Sequence, residues 1–193
     1  MIRKRKTLCL LLLILSALFI NACGTVNVNI NQDKNIQTLG SDEESKSDGL
    51  GDISYSYEVY PLERNGIDLH LDCLKEDGNE PDRNILLIHG VTYSSHEFDV
   101  DYKDYSLVRK LAREGYAVWR LDIAGFGRSE AVEDGFMPDS DYAAEDINAA
   151  VEEIARITEQ DKIDILGWSW GTVTVGRFAG KYGEHINRIV YRL

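Results

Sequence analysis

The stretch Ile163-Asp164-Ile165-Leu166-Gly167-Trp168-Ser169-Trp170-Gly171 carries the pattern that decides the fold. Its apolar start predicts a buried strand, and residues 170–182 follow with helical character. A tight turn between the two elements exposes the hydroxyl of Ser169, while Gly167 and Gly171 let the neighbouring backbone pass closely. The alternative is a glycine-rich turn that carries an inert serine.

The chain around this stretch alternates between strand and helix patterns. The continuous apolar runs are typical of strands buried on both faces of a parallel sheet. Asn65-Gly66 between two alternating segments indicates a hairpin. The order therefore predicts an α/β fold: a doubly wound, mostly parallel sheet with helices on both faces and an antiparallel hairpin at its leading edge. We expect strands at 54–60, 67–74, 85–88, 117–121, 163–166 and 187–193, and helices at 104–114, 141–158 and 170–182.

Two further strand ends carry unusual residues. His89-Gly90-Val91 follows the strand at 85–88, and the loop Asp122-Ile123-Ala124-Gly125-Phe126-Gly127-Arg128-Ser129 follows the strand at 117–121. The carboxyl ends of parallel strands meet at one edge of a sheet. We therefore expect both segments to lie near Ser169. Asp122 and Ser129 can bond nearby backbone groups, which suits a structural loop.

Together and in this order, the three motifs resemble the α/β-hydrolase family over residues 54–193. The resemblance implies that Ser169 is the nucleophile, and that the backbone N–H groups of Val91 and Trp170 hold the oxyanion. It gives supporting, structural roles to Gly167, Gly171, His89, Gly90 and Asp122.

The resemblance implies a serine hydrolase that cleaves small-molecule carboxylic esters, or less readily amides, without a cofactor or a metal. Only 24 residues follow Ser169, and among them Glu184 and His185 are adjacent. The acid and base of this family each follow a later strand, so no catalytic histidine is assigned. The interpretation is an N-terminal part of the domain, truncated after about the sixth strand, and whether this chain is an active enzyme stays open.

Two alternatives to a working hydrolase remain at this point. One is a non-catalytic surface lipoprotein that binds an apolar ligand in the remaining cleft. The other is the product of a non-functional gene fragment. The substrate and the oligomeric state are not determined by the sequence.

The first residues have the features of an export signal. Arg3, Lys4, Arg5 and Lys6 precede an apolar run at 8–20, which is short for a membrane span. The segment Ile20-Asn21-Ala22-Cys23-Gly24 resembles the lipobox of bacterial lipoproteins. The resemblance implies removal of residues 1–22 and lipidation of Cys23. A plain cleaved signal and an uncleaved anchor are the alternatives.

The chain then divides into three segments: the signal peptide at 1–22, a lipid-anchored tether at 23–52 and the hydrolase domain at 53–193. The tether is polar and acidic, so it cannot bury enough apolar surface to fold. This organisation predicts a protein held on the extracytoplasmic side of a bacterial cell membrane. Of the three cysteines, only Cys73 would remain unmodified in the mature chain, so no disulfide is expected.

The charge of the chain excludes one class of partner. The formal net charge is −12, from 21 basic and 33 acidic residues. Removal of residues 1–22 takes away four of the basic residues and no acidic one, which leaves a net charge of −16. Nucleic-acid binding needs a surface rich in Lys and Arg, so no nucleic-acid partner is expected.

Overall fold

The computed structural model describes residues 53–100, 102–103, 105–134 and 138–193. The signal peptide predicted at 1–22, the tether predicted at 23–52 and the lipidation predicted at Cys23 lie outside the described residues. Within the described ranges, no helix has both the length and the apolar character that crossing a bilayer requires.

Six strands and three α-helices alternate along the described chain. Short 3-10 turns occur at Ser95–Phe98 and Gly183–His185. The strands are β1 (Tyr55–Arg64), β2 (Ile67–Glu76), β3 (Arg83–Ile88), β4 (Tyr116–Asp122), β5 (Ile163–Trp168) and β6 (Ile186–Arg192), and the helices are α1 (Leu107–Arg113), α2 (Ser140–Thr158) and α3 (Trp170–Tyr182).

All six strands form one sheet in the order β1-β2-β4-β3-β5-β6. β1 pairs with β2, and β2 with β4, in antiparallel register. β3 pairs with β4 and with β5, and β5 pairs with β6, in parallel register. The predicted fold class is confirmed: a mostly parallel sheet with helices on both faces and a hairpin at one edge. The exchange of order between β3 and β4 places β3 at the centre, next to the strand that leads into Ser169.

Side chains from the two faces of the sheet form two separate apolar layers. α1 packs on one face, while α2 and α3 pack against the other face and against each other. The layer under α1 consists of Leu74, Ile85, Leu87, Phe98, Val108, Ala112, Val118 and Leu166. The larger layer under α2 and α3 includes Leu71, Leu86, Ile88, Trp119, Leu121, Ile147, Val151, Ile154, Ile165, Val175 and Phe178. Successive residues of β3 alternate between the layers, as the pleat of a strand requires.

The ends of several elements differ from the sequence prediction. β1 and β2 pair over ten residues each and extend to the turn at Asn65-Gly66, where both residues have positive φ (54° and 77°). Two positive φ values are the requirement of a type I′ hairpin turn. α1 begins at Leu107, not at 104, because the Ser106 hydroxyl accepts the Arg109 N–H at 3.0 Å and caps the helix.

A buried charge cluster joins the hairpin to the rest of the sheet. Asp72 of β2 is fully buried and accepts two hydrogen bonds from Arg120 of β4, at 2.7 and 3.1 Å. Tyr57 and Arg128 donate to the same carboxylate at 2.8 Å each, and His70 lies 2.9 Å away. Burial alone raises the pKa of Asp72, but the hydrogen bonds and the charge of Arg120 outweigh it and lower that pKa.

Candidate active site

Ser169 occupies a strained turn between β5 and α3. Its φ of 52° and ψ of −118° lie in a region that side-chain-bearing residues rarely adopt. The backbone N–H of Ser169 donates to the Arg192 carbonyl at 2.8 Å, which ties the turn to the end of β6. The residue is exposed at the carboxyl edge of the sheet.

The two glycines that flank this turn lie where no side chain fits. A Cβ atom on Gly167 would come within 2.5 Å of the Gly171 carbonyl oxygen. A Cβ atom on Gly171 would come within 2.4 Å of the Ile88 carbonyl oxygen at the end of β3. The backbones of β3, the turn and the start of α3 therefore pack directly against each other. A side chain at either position would overlap backbone atoms, so both positions require glycine.

The segment His89-Gly90-Val91 lies directly against the serine. A Cβ atom on Gly90 would be 3.0 Å from Ser169 Cβ and 3.5 Å from Ser169 Oγ. Val91 follows Gly90 and is exposed, and Trp170 is the first residue of α3. The structure thus brings together the two segments that carry the expected oxyanion donors.

His89 is a buried supporting residue whose two ring nitrogens both have partners. Nδ1 lies 2.8 Å from the Gly90 carbonyl oxygen and donates to it, while Nε2 accepts the Ile123 N–H at 3.1 Å. This pairing fixes one neutral tautomer. Burial lowers the pKa of His89, although the Gly90 carbonyl and the charge of Asp122 act in the opposite direction. His89 therefore connects two loops and has no free nitrogen to accept a proton from Ser169.

The buried carboxylate of Asp122 organises the loop after β4. Its two oxygens accept backbone N–H groups from Ser95 at 2.6 Å and from Arg128 at 2.9 Å. Gly127 has a φ of 55°, and a Cβ atom there would lie 2.4 Å from the Asp122 carboxyl group. Ser129 donates to the Asp122 carbonyl and accepts the N–H of His70 at 2.8 Å, so the loop is also fastened to the hairpin.

Aromatic contacts link the three motifs. The rings of His89 and Phe126 lie 5.2 Å apart, and those of Phe126 and Trp170 lie 5.7 Å apart. Each ring comes from a different loop or helix end at the carboxyl edge. Stacked or tilted rings at these distances attract each other, so Phe126 joins the His-Gly segment to the start of α3.

Sequence reasoning missed a second buried carboxylate near this edge. Asp146 of α2 accepts the Ala124 N–H at 3.0 Å and forms an ion pair with Arg64 of β1 at 2.5 Å. Burial raises the pKa of Asp146 against the effect of both partners. Asp146 falls on the buried face of α2, with Ala143 and Ala150 three and four residues away. An acid within an apolar helical stripe is the signal that could have identified it.

Glu97 was also missed, and it holds the loop residue that lies against Ser169. Its Oε1 atom accepts the Gly90 N–H at 2.9 Å. Burial raises the pKa of Glu97, and the Gly90 hydrogen bond only partly offsets this. Glu97 lines an open space of about 690 Å³, which we call the loop cleft. The cleft is bounded by Thr92, Tyr93, Ser94, His96, Glu97, Val100 and Gly127.

The remaining histidines lie in different settings. His70 bonds to Asp72 within the charge cluster, and His96 is exposed in the loop cleft. His185 is half-buried in the 3-10 turn before β6, at the opposite edge of the sheet from Ser169. Among the described residues, no group of three or more His, Cys, Asp or Glu side chains is placed to hold a metal ion.

Comparison with known proteins gives the family. A family model for the alpha/beta hydrolase fold matches residues 83–191, which is more than half of the chain. The chain belongs to the α/β-hydrolase family. The human serine hydrolase BPHL is 30% identical over 130 residues, a match that covers 65% of this chain and 39% of the human protein.

Solved structures agree with this assignment. A CIB-like hydrolase from Thermoplasma acidophilum is 25% identical with a TM-score of 0.56, and the match covers 72% of this chain and 63% of that one. The epoxide hydrolase VrEH1 from Vigna radiata is 18% identical with a TM-score of 0.56, covering 71% and 38%, and shows the fold alone. The chain therefore spans less than two thirds of the length of each of these relatives.

The glycine requirement at the turn can be tested with a matched pair in α3. We expect Gly171→Ala to lower the free energy of unfolding by about 2 kcal/mol, because the new methyl group overlaps the Ile88 carbonyl. Gly180→Ala should raise it by up to about 1 kcal/mol, because that position has open space and alanine favours helix. Urea unfolding measures both. Equal effects of the two substitutions would contradict the packing described.

The neutral state of His89 can be tested by NMR. We expect its ring resonances, assigned with His89→Gln, to titrate below about pH 6.5, the ordinary value for histidine, because burial lowers its pKa. The unfolded chain takes up the proton first as the pH falls. His89 should therefore reduce the free energy of unfolding from about pH 6.5 down to its folded pKa, and not above pH 6.5. A midpoint at or above 6.5 would refute this description.

Proposed function

We propose that the chain carries the nucleophile and the oxyanion site of a serine hydrolase. The observation on which the proposal rests is the conformation of Ser169, whose positive φ holds an exposed hydroxyl against Gly90 at the carboxyl edge. Strained backbone of this kind is concentrated at functional sites. The name of the human relative, a serine hydrolase, supports the same reaction class.

In the proposed reaction, Ser169 Oγ attacks the carbonyl carbon of an ester and loses its proton to a base. The N–H groups of Val91 and Trp170 receive the negative charge that develops on the carbonyl oxygen. Trp170 begins α3, so the positive end of the helix dipole adds to this stabilisation. The protonated base gives that proton to the ester oxygen as the C–O bond breaks, and an alcohol leaves. Water then attacks the acyl-enzyme, which releases the carboxylic acid and restores the Ser169 hydroxyl. No acid or base is assigned to the described residues.

Carboxylic esters are the proposed substrate class, with amides second. An alkoxide is a better leaving group than an amine anion. Cleavage of an ester therefore depends less on protonation of the leaving group by a general acid. Related structures include an epoxide hydrolase and a thioesterase domain, which shows that the fold hosts several hydrolytic reactions. The fold therefore does not identify the substrate, and the proposal of esters rests on the nucleophile and the oxyanion site.

Labelling with a fluorophosphonate probe tests the nucleophile. We expect one covalent adduct on Ser169 and none in Ser169→Ala, because the probe captures a serine that is both exposed and activated. Peptide mass spectrometry locates the adduct. Ser140→Ala is the matched control, since Ser140 is the first residue of α2 and should leave the labelling unchanged.

The outcome that would refute the proposed nucleophile is an adduct on another residue, or the same labelling in Ser169→Ala. Absence of labelling in this chain, with labelling on Ser169 when further downstream sequence is present, would instead indicate that the activating base comes from that sequence.

We also propose that the hydrolase is a bacterial lipoprotein that faces away from the cytoplasm. The support is the order of a basic cluster, an apolar run and Cys23, followed by a polar acidic segment. Lipid on Cys23 would hold the catalytic domain near the membrane surface. The small-molecule substrate would then reach the site from outside the cytoplasm.

Replacement of Cys23 tests the anchor. We expect Cys23→Ser to abolish incorporation of labelled palmitate in a bacterial host, because the Cys23 thiol is the proposed site of lipid attachment. Cys73→Ala is the control, since Cys73 is buried in β2 and its pKa is raised to about 12 by burial. Palmitate incorporation that is unchanged in Cys23→Ser would refute lipidation at Cys23.

A further inference from the structure

The carboxylate of Glu97 binds the backbone of Gly90, the residue that lies against the proposed nucleophile, and it is not part of the expected machinery. Its Oε1 atom accepts the Gly90 N–H at 2.9 Å, and Gly90 in turn contacts Ser169. Gly90 therefore lies between this carboxylate and Ser169 in space. A negative charge at this position opposes the negative charge that would develop on a substrate oxygen.

The loop cleft contains groups that suit a positive charge. Glu97 supplies a carboxylate, and Tyr93 supplies an aromatic ring that is 61% exposed. Aromatic faces and carboxylates are the groups that bind ammonium ions in proteins. Among the described residues that line this cleft, there is no lysine or arginine to neutralise Glu97.

Partial burial of the Glu97 carboxylate favours the binding of a cation. Glu97 is half-buried, and removal from water raises the pKa of its carboxyl group. A carboxylate that has lost part of its hydration gains more from a counter-ion than a fully exposed one does. A cationic group in the cleft would satisfy Glu97 and offset its repulsion of the oxyanion.

We propose that the loop cleft is a subsite for a positively charged group of the substrate, and that Glu97 selects it. The ligand class is an organic ammonium, placed beside the ester bond that Ser169 would attack. The inference rests on the proposed function for the identity of the reaction. Cation binding itself does not need the nucleophile, so the two proposals can fail separately.

Binding of two isosteric probes to the full chain tests the subsite. Choline and 3,3-dimethylbutan-1-ol have the same shape and differ only in a charged nitrogen replacing carbon. We expect choline to bind about tenfold more tightly, as measured by NMR titration at pH 8. In Glu97→Gln the ratio should fall to about one, because the amide oxygen still accepts the Gly90 N–H but carries no charge.

Matched variants separate a local effect from the overall negative charge. Glu184→Gln removes the same charge from the 3-10 turn before β6, at the other edge of the sheet, and should keep the tenfold ratio. Tyr93→Leu removes the aromatic face and should lower the ratio several-fold, which provides a second test if Glu97→Gln folds poorly. Ser169→Ala should keep the full preference for choline.

Equal affinity of the wild-type chain for both probes would overturn the subsite. A preference for choline that survives both Glu97→Gln and Tyr93→Leu would overturn it as well, since the cation then binds elsewhere. A preference that depends on Glu97, together with a fluorophosphonate adduct on a residue other than Ser169, would refute the proposed hydrolase reaction and leave the cation subsite intact.

Discussion

The contact between the backbone of Gly171 and the Ile88 carbonyl constrains the entire carboxyl edge of the sheet. It brings the end of β3 against the start of α3, directly after the strained turn in which Ser169 lies. The His-Gly segment continues from Ile88, so the same contact determines where Gly90 meets the serine. The sheet order has the same consequence, because β3 lies between β4 and β5 and so all three motif loops begin on neighbouring strands.

Buried carboxylates hold these loops in place. Asp122, Asp146 and the half-buried Glu97 each accept at least one backbone N–H from a loop that has no regular secondary structure of its own. Such bonds satisfy main-chain groups that would otherwise be buried without partners. The site is therefore positioned by acids in the loops and helices as much as by the strands, and the acidic composition of the chain is partly a structural requirement.

Patterns that depend on neighbours in the sequence were predictable. Apolar runs predicted the buried strands, alternating segments around Asn65-Gly66 predicted the hairpin, and the glycines around Ser169 predicted the turn, because each signal acts within a few residues. The boundary of α1 was misplaced because one serine cap decides it. The bonds of Asp146 to Arg64 and of Glu97 to Gly90 were not predicted. They depend on how distant segments meet, and an acid in a loop or helix has many possible partners.

The charge cluster at Asp72 has a consequence for how this sequence can change. Without Arg120, the buried Asp72 keeps only the half-exposed Arg128 as an arginine partner. Without Asp72, the buried Arg120 keeps only a 3.7 Å contact with Asp99. Each single replacement therefore leaves a buried charge that is only partly compensated, which is costly. An apolar pair of similar volume at both positions avoids that cost. Positions 72 and 120, which face each other across β2 and β4, therefore form an epistatic pair. Related sequences should contain either both charges or neither, and evolutionary routes through one charge alone should be rare.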